Sequence, residues 1–138
     1  MKLTEKQQVF TENIGKLIAF AYEKEIRLTF GEAHRTQSQG LLNFFGFIVE
    51  RDGNSIKLSK SRKLSNTLNS LHLNRLAVDF NFFINGKLTY DKSKLISLGE
   101  YWESLNPNNK WGGNFKSFLD TPHFEMGWLY AFALVKDS

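Results

Sequence analysis

The chain has 138 residues, 41% of them hydrophobic and 23% charged, with 13 Phe, 3 Trp, no Cys and a net charge of +4. That length fits one domain with a real core, and no run approaches the roughly 20 apolar residues of a membrane-spanning helix. The absence of cysteine excludes disulfides and thiolate metal sites, while the basic balance favours an anionic partner: nucleic acid, a phospholipid surface or a bacterial envelope.

The opening MKLTEKQQVF lacks the apolar core of a secretory signal, so export under a signal of its own is not expected. Residues 4 to 24 read as a helix, with Phe10, Ile14, Leu17, Ile18, Ala21 and Tyr22 at helical spacing and Thr4 as its N-cap. Its other face mixes Lys6, Glu12, Lys16 and Glu23, the pattern of a packing helix. Ile26, Leu28 and Phe30 alternate with Arg27 and Thr29 in a strand that ends at Gly31. From Thr36 to Leu68 come an apolar piece, LLNFFGFIVE, a turn at RDGN, and a basic tract, KLSKSRKLSNTLNS, read as an exposed loop or ribbon. In LHLNRLAVDFNFFI, Leu76, Val78, Phe80 and Phe82 share one face of a strand; Ala77, Asp79, Asn81 and Phe83 share the other. Asn85-Gly86 is a two-residue hairpin signal, returning through KLTY. Asp91 is placed to cap a helix through Leu105, with Leu95, Leu98, Trp102 and Leu105 on one face. A loop, NPNNKWGGNFKSFLD, leads to a further strand in TPHFEMGW, and the chain finishes with LYAFALVKDS. With no repeat or linker, the expectation is a single α+β domain over 1–138, a small antiparallel sheet with flanking helices and a catalytic core at about 26–130.

Asp79 is the residue that needs explaining, because a carboxylate in an apolar strand must find a cation, several donors or a metal. A salt bridge to Arg75 or Arg35 is one answer. The histidines offer another: His72 lies seven residues before Asp79, and His123 shares a strand face with Glu125. Two His and one carboxylate, with a fourth position left for water, make a catalytic zinc set. Asp120, three residues before His123, then suits an acid/base role; its alternative is a turn-stabilising Asp ahead of Pro122.

SLHLNRLAVDF and the later DTPHFE resemble the zinc peptidases of the M15 type, which comprise D-alanyl-D-alanine carboxypeptidases and dipeptidases and the L-alanyl-D-glutamate endopeptidases of phages. That family carries Ser-x-His-x6-Asp, matched by Ser70, His72 and Asp79, and Asp/Glu-x-x-His, matched by Asp120 and His123. Its arginine ahead of the first zinc histidine matches Arg35 in AHRTQ, and the likeness spans residues 28 to 127. The resemblance implies a Hedgehog/DD-peptidase-like fold and one Zn²⁺ per chain on His72, Asp79 and His123. It makes Asp120 the general base and then general acid, and Arg35 the group that stabilises the oxyanion. Ser70 and Glu125 would hold the ligands in place, and Trp111 with Gly112 and Gly113 would form pocket wall and loop. The family often has Gly where this chain has Arg75 and an aromatic residue where it has His34; His34 is expected to be solvated beside its loop.

The expected function is hydrolysis of peptidoglycan stem peptides by a monomeric phage or prophage lysin, made in the host cytoplasm and acting on the periplasmic wall after release. The acid is Asp, as in the phage endopeptidases, which favours the L-Ala–D-Glu bond. A D-alanyl-D-alanine carboxypeptidase is the alternative, with Arg75 or the Lys57–Lys63 tract as a subsite for the substrate carboxylate. A nucleic-acid-binding module built on KLSKSRK is not expected, since that tract contains no stacking aromatic. A silent relative that only binds wall is disfavoured by the complete acid, arginine and ligand set.

Overall fold

The computed structural model describes residues 1–127. Trp128, the rest of the expected core to residue 130 and the terminal LYAFALVKDS lie outside the described residues. In chain order the elements are α1 (Leu3–Glu23), β1 (Ile26–Phe30), α2 (Gln37–Phe45), β2 (Phe47–Asp52), β3 (Ser55–Lys60), a 3-10 turn at Leu71–Asn74 and β4 (Ala77–Ile84). They continue with β5 (Lys87–Thr89), α3 (Lys92–Ser104), β6 (Asn109–Trp111), a second 3-10 turn at Gly112–Asn114 and β7 (His123–Met126).

Helix α1 begins earlier than its pattern suggested. Lys2 occupies the N-cap position, where its backbone N–H donates to the Glu5 carboxylate at 2.9 Å, so Thr4 is already inside the first turn. Phe10, Leu17 and Ala21 are buried, whereas Tyr22 faces solvent. Helix α3 starts as its sequence indicates, the Asp91 carboxylate accepting the Ser93 N–H at 3.0 Å. Between them α1 and α3 cover one face of the sheet: Phe10 packs on Trp102, and Phe20 stacks on Tyr101 with centroids 4.1 Å apart.

The main sheet runs β1-β4-β7-β6, and β5 also pairs with β4, all antiparallel. Strand β4 is the hub. Its apolar face, Val78, Phe80 and Phe82, is buried beneath the helices with Phe124 and Met126 of β7. The opposite face carries Asp79 and, on β7, His123 and Glu125. Asn85 and Gly86 both take positive φ, 52° and 78°, so the β4–β5 hairpin closes through the left-handed turn that its dipeptide demands. Helices α1 and α3 cover the apolar face, and the polar cluster lies on the other.

Strands β2 and β3 form a separate two-stranded ribbon that turns at RDGN, so the first part of the basic tract is ribbon. Strand β6 was read as loop; three residues on a sheet edge leave no periodic signal. Among the described residues no helix is long and apolar enough to cross a membrane.

Candidate active site

Strand pairing brings the cluster together. Asp79 and His123 are direct partners in the β4–β7 ladder, as are Ala77 and Glu125, so their side chains stand on one face. His123 Nδ1 lies 3.0 Å from Asp79 Oδ1, and His123 Nε2 lies 2.7 Å from Glu125 Oε1. His72 enters from the 3-10 turn before β4. Ser70 starts that turn, its hydroxyl accepting the His72 N–H at 3.2 Å, which puts His72 Nε2 3.4 Å from Asp79 Oδ1.

Neither arginine pairs with Asp79. Arg35 instead forms a forked contact with Glu32, its Nη2 2.7 Å and its Nε 3.1 Å from Oε1. Arg75 caps the 3-10 turn at φ 55°, a left-handed position that glycine occupies without steric cost. Its side chain borders a separate cavity with Phe10, Ile14 and Ala77, away from the cluster, so it cannot serve as a carboxylate subsite there. His34 is exposed beside that same cavity.

Glu32 is the member that sequence reading missed. It sits just past β1, where its carbonyl accepts the Asp79 N–H at 2.9 Å while the Gly31 N–H donates to the Asp79 carbonyl at 2.7 Å. This stitching carries the Glu32 carboxylate to within 3.4 Å of His72 Nδ1. Glu32 therefore touches both His72 and Arg35. Its only sequence signal was position, three residues before Arg35 and directly after a predicted strand.

The cluster opens onto a cleft of about 700 Å³ lined by Arg35, Ser70, His72, Asp79, Asp120, His123 and Glu125. Leu64 to Thr67 form one wall, and Phe115 and Phe118 another. The expected pocket residues Trp111, Gly112 and Gly113 are buried in the core instead. Trp111 donates its indole N–H to the Thr121 carbonyl at 2.9 Å and packs on Phe124. A Cβ on Gly113 would collide with that indole, and one on Gly112 with the Asp120 carbonyl oxygen. The glycine pair is thus rigid packing that seats the turn, not a mobile loop. The Asp120 N–H donates to the Gly112 carbonyl at 3.0 Å, and the His123 N–H closes the turn onto the Asp120 carbonyl at 3.1 Å. Since backbone bonds hold this turn, the Asp120 carboxylate is left to the cleft.

Electrostatics separate the two aspartates. Burial raises the Asp79 pKa, but hydrogen bonds from His123 and His72 and their charge outweigh it and hold the carboxyl well below the usual carboxylate range. Burial also raises Asp120, opposed by His123 and reinforced by the Asp79 charge, and there the upward direction wins. For His123, burial lowers the pKa, while bonds to Asp79 and Glu125 lift it to about 9. One carboxylate is kept ionised while its neighbour is drawn toward proton exchange.

The donor set fits a zinc-type cation. His72, Asp79 and His123 present atoms that all lie within 4.8 Å of one another. Bonds of about 2.0–2.2 Å at tetrahedral angles place ligand atoms roughly 3.3 Å apart; the 3.4 and 3.0 Å separations from Asp79 bracket that spacing. With His72 Nε2 and His123 Nδ1 turned to Asp79, His123 Nε2 is hydrogen-bonded to Glu125 at 2.7 Å, the arrangement by which a carboxylate orients a ligand histidine, while His72 Nδ1 lies 3.4 Å from Glu32 without a hydrogen bond.

Residues 63–126 match the M15 peptidase family model described as D-alanyl-D-alanine carboxypeptidase. The structure resembles that of the Serratia marcescens L-Ala D-Glu endopeptidase ChiX, with a TM-score of 0.60 and 18% identity over 95% of this chain and 90% of that one. Comparison with curated proteins finds no match.

Proposed function

We propose, from a chain that carries the M15-type peptidase core in residues 63–126, that it is a zinc-dependent hydrolase of peptidoglycan stem peptides acting on the L-Ala–D-Glu bond. The carrying observation is the convergence of His72, Asp79 and His123 in one cleft with Asp120 and Arg35. Zinc held by these three residues would supply Lewis acidity toward a carbonyl and lower the pKa of a water.

The chain's own groups supply the rest. Asp120, its pKa raised by burial, accepts a proton from the attacking water and returns it to the leaving amine. Arg35 is held through Nε and Nη2 by Glu32, which leaves Nη1 to donate toward the carbonyl oxygen as negative charge develops. Glu125 holds the His123 imidazole from behind through a hydrogen bond, and the Glu32 charge stands behind His72. Phe115 and Phe118 give the cleft an apolar wall against the peptide.

Two features favour L-Ala–D-Glu: the acid is Asp, as in the phage endopeptidases that the motifs resemble, and ChiX, whose fold is shared, is an L-Ala D-Glu endopeptidase. The family model's description favours the D-alanyl-D-alanine carboxypeptidase as second reading. The proposal includes a phage or prophage origin and monomeric action on the periplasmic wall after release from the host cytoplasm.

Mass spectrometry of Gram-negative peptidoglycan digested with and without a chelator tests this reading. Chelator-sensitive release of stem peptides beginning at D-Glu is expected. Loss of terminal D-Ala alone would transfer the assignment to the carboxypeptidase, and unchanged peptidoglycan with folded, zinc-loaded protein would refute both.

A further inference from the structure

The β2–β3 ribbon has a function to account for that the cleft does not supply. In its register Phe47 pairs with Lys60, Val49 with Leu58 and Arg51 with Ile56, so these six side chains share one face. Aliphatic groups occupy its middle and a cation stands at each end. Ile56, Leu58 and Val49 are 73%, 62% and 49% exposed, and Leu41 and Phe45 of α2 extend the patch around a groove of about 450 Å³. A cluster of large apolar groups this open on one face marks an interaction surface rather than scatter.

Charge identifies the partner. Residues 44–63 hold Arg51, Lys57, Lys60, Arg62 and Lys63 against Glu50 and Asp52, which is most of the chain's positive excess. Lys57 meets Glu50 at 3.9 Å; among the described residues Arg51, Lys60, Arg62 and Lys63 pair with no acid. A second copy on this face would bring two cationic ribbons together. A single-stranded nucleic acid needs a series of open rings, yet Phe47 and Phe44 lie under Lys60 and Lys63 at 4.6 and 4.2 Å, which leaves Phe45 as the exposed ring of the patch. Two copies would bury the aliphatic middle only by setting cation against cation, and a single strand would use the cations alone, whereas an anionic bilayer takes both halves: headgroup phosphates for the cations, the acyl boundary for Val49, Ile56 and Leu58.

We propose that the α2–ribbon face docks on an anionic phospholipid bilayer, independently of the chemistry in the cleft. Strand β3 runs on into Leu64–Thr67, a wall of the cleft, so docking holds the cleft beside the membrane surface.

The test is co-sedimentation of the whole protein with vesicles of phosphatidylglycerol and phosphatidylethanolamine, and with pure phosphatidylcholine. Binding to the anionic vesicles only, weakened by salt, is expected. Ile56→Ser with Leu58→Ser should abolish it, and Arg51→Gln with Lys60→Gln, the cations at the two ends of that face, should weaken it by roughly fivefold per charge. Both variants should hydrolyse a soluble muropeptide at the wild-type rate, which separates lost docking from lost folding. Equal binding to both vesicle types, or unaltered binding by the correctly folded variants, would overturn the proposal. So would a dimer abolished by the serine substitutions, or an oligonucleotide held as tightly as the anionic vesicles.

Discussion

Zinc binding at this centre should release a proton from His123. In the metal-free protein that ring lies between Asp79 at 3.0 Å and Glu125 at 2.7 Å, and its pKa is lifted to about 9. At pH 7 it is an imidazolium, and a ligand nitrogen must be deprotonated. The two-unit gap from pH 7 to about 9 corresponds to roughly 3 kcal/mol, or about a hundredfold in apparent affinity. Affinity should therefore rise about tenfold per pH unit between pH 7 and 9 and then level off. Calorimetric titration of metal-free protein at pH 7, in buffers of different protonation enthalpy, should register about one proton released. Chelator competition follows the affinity itself. No proton release, or flat affinity from pH 7 to 8.5, would refute the reasoning. The same shift sets the stability of the metal-free protein. The folded pKa exceeds the ordinary 6.5, so the stabilisation is fully present below pH 6.5 and is lost as pH rises through about 9. Thermal midpoints of chelated protein should fall across that window, and zinc should remove most of the fall.

Asp120→Asn should retain zinc and the thermal midpoint while losing at least about a hundredfold in turnover, because the turn is backbone-held and the carboxylate serves as acid/base; near-normal turnover would remove it from the mechanism. Glu32→Gln keeps the shape but removes the charge between His72 and Arg35, so zinc affinity should fall roughly 10- to 100-fold and turnover with it. Unchanged affinity by chelator competition would leave Glu32 as a partner of Arg35 alone. Gly112→Ala should destabilise by at least about 2 kcal/mol, since the new methyl meets the Asp120 carbonyl oxygen and the His123 Cβ; denaturant unfolding with an unchanged midpoint would show that the turn yields.

The best-read parts were those whose cause is local. The β4 face alternates so regularly that Asp79 stood out as the one charge within it, and Asn85-Gly86 and Asp91 announce a turn and a cap through their own backbone preferences. Glu32, Phe115 and Phe118 were not legible, because nothing adjacent in the chain distinguishes them from any exposed acid or loop aromatic. Trp111 was misplaced for a related reason: an aromatic beside two glycines reads as a loop wall until Gly99 and Gly113 are seen to make room for its indole inside the core.

The motifs that resemble the M15 type singled out the candidate metal-type residues and the acid, and periodicity determined the strand that carries Asp79. Only the tertiary structure decided how these groups face one another. The β4–β7 register sets Asp79 against His123, and a one-residue slip would turn them to opposite faces. Contact between the β1 end and β4 brings Glu32 to His72 and takes Arg35 away from Asp79. Periodicity is a property of one segment, whereas register and long-range contact arise from packing several segments at once, and that packing decides which carboxylate meets which cation.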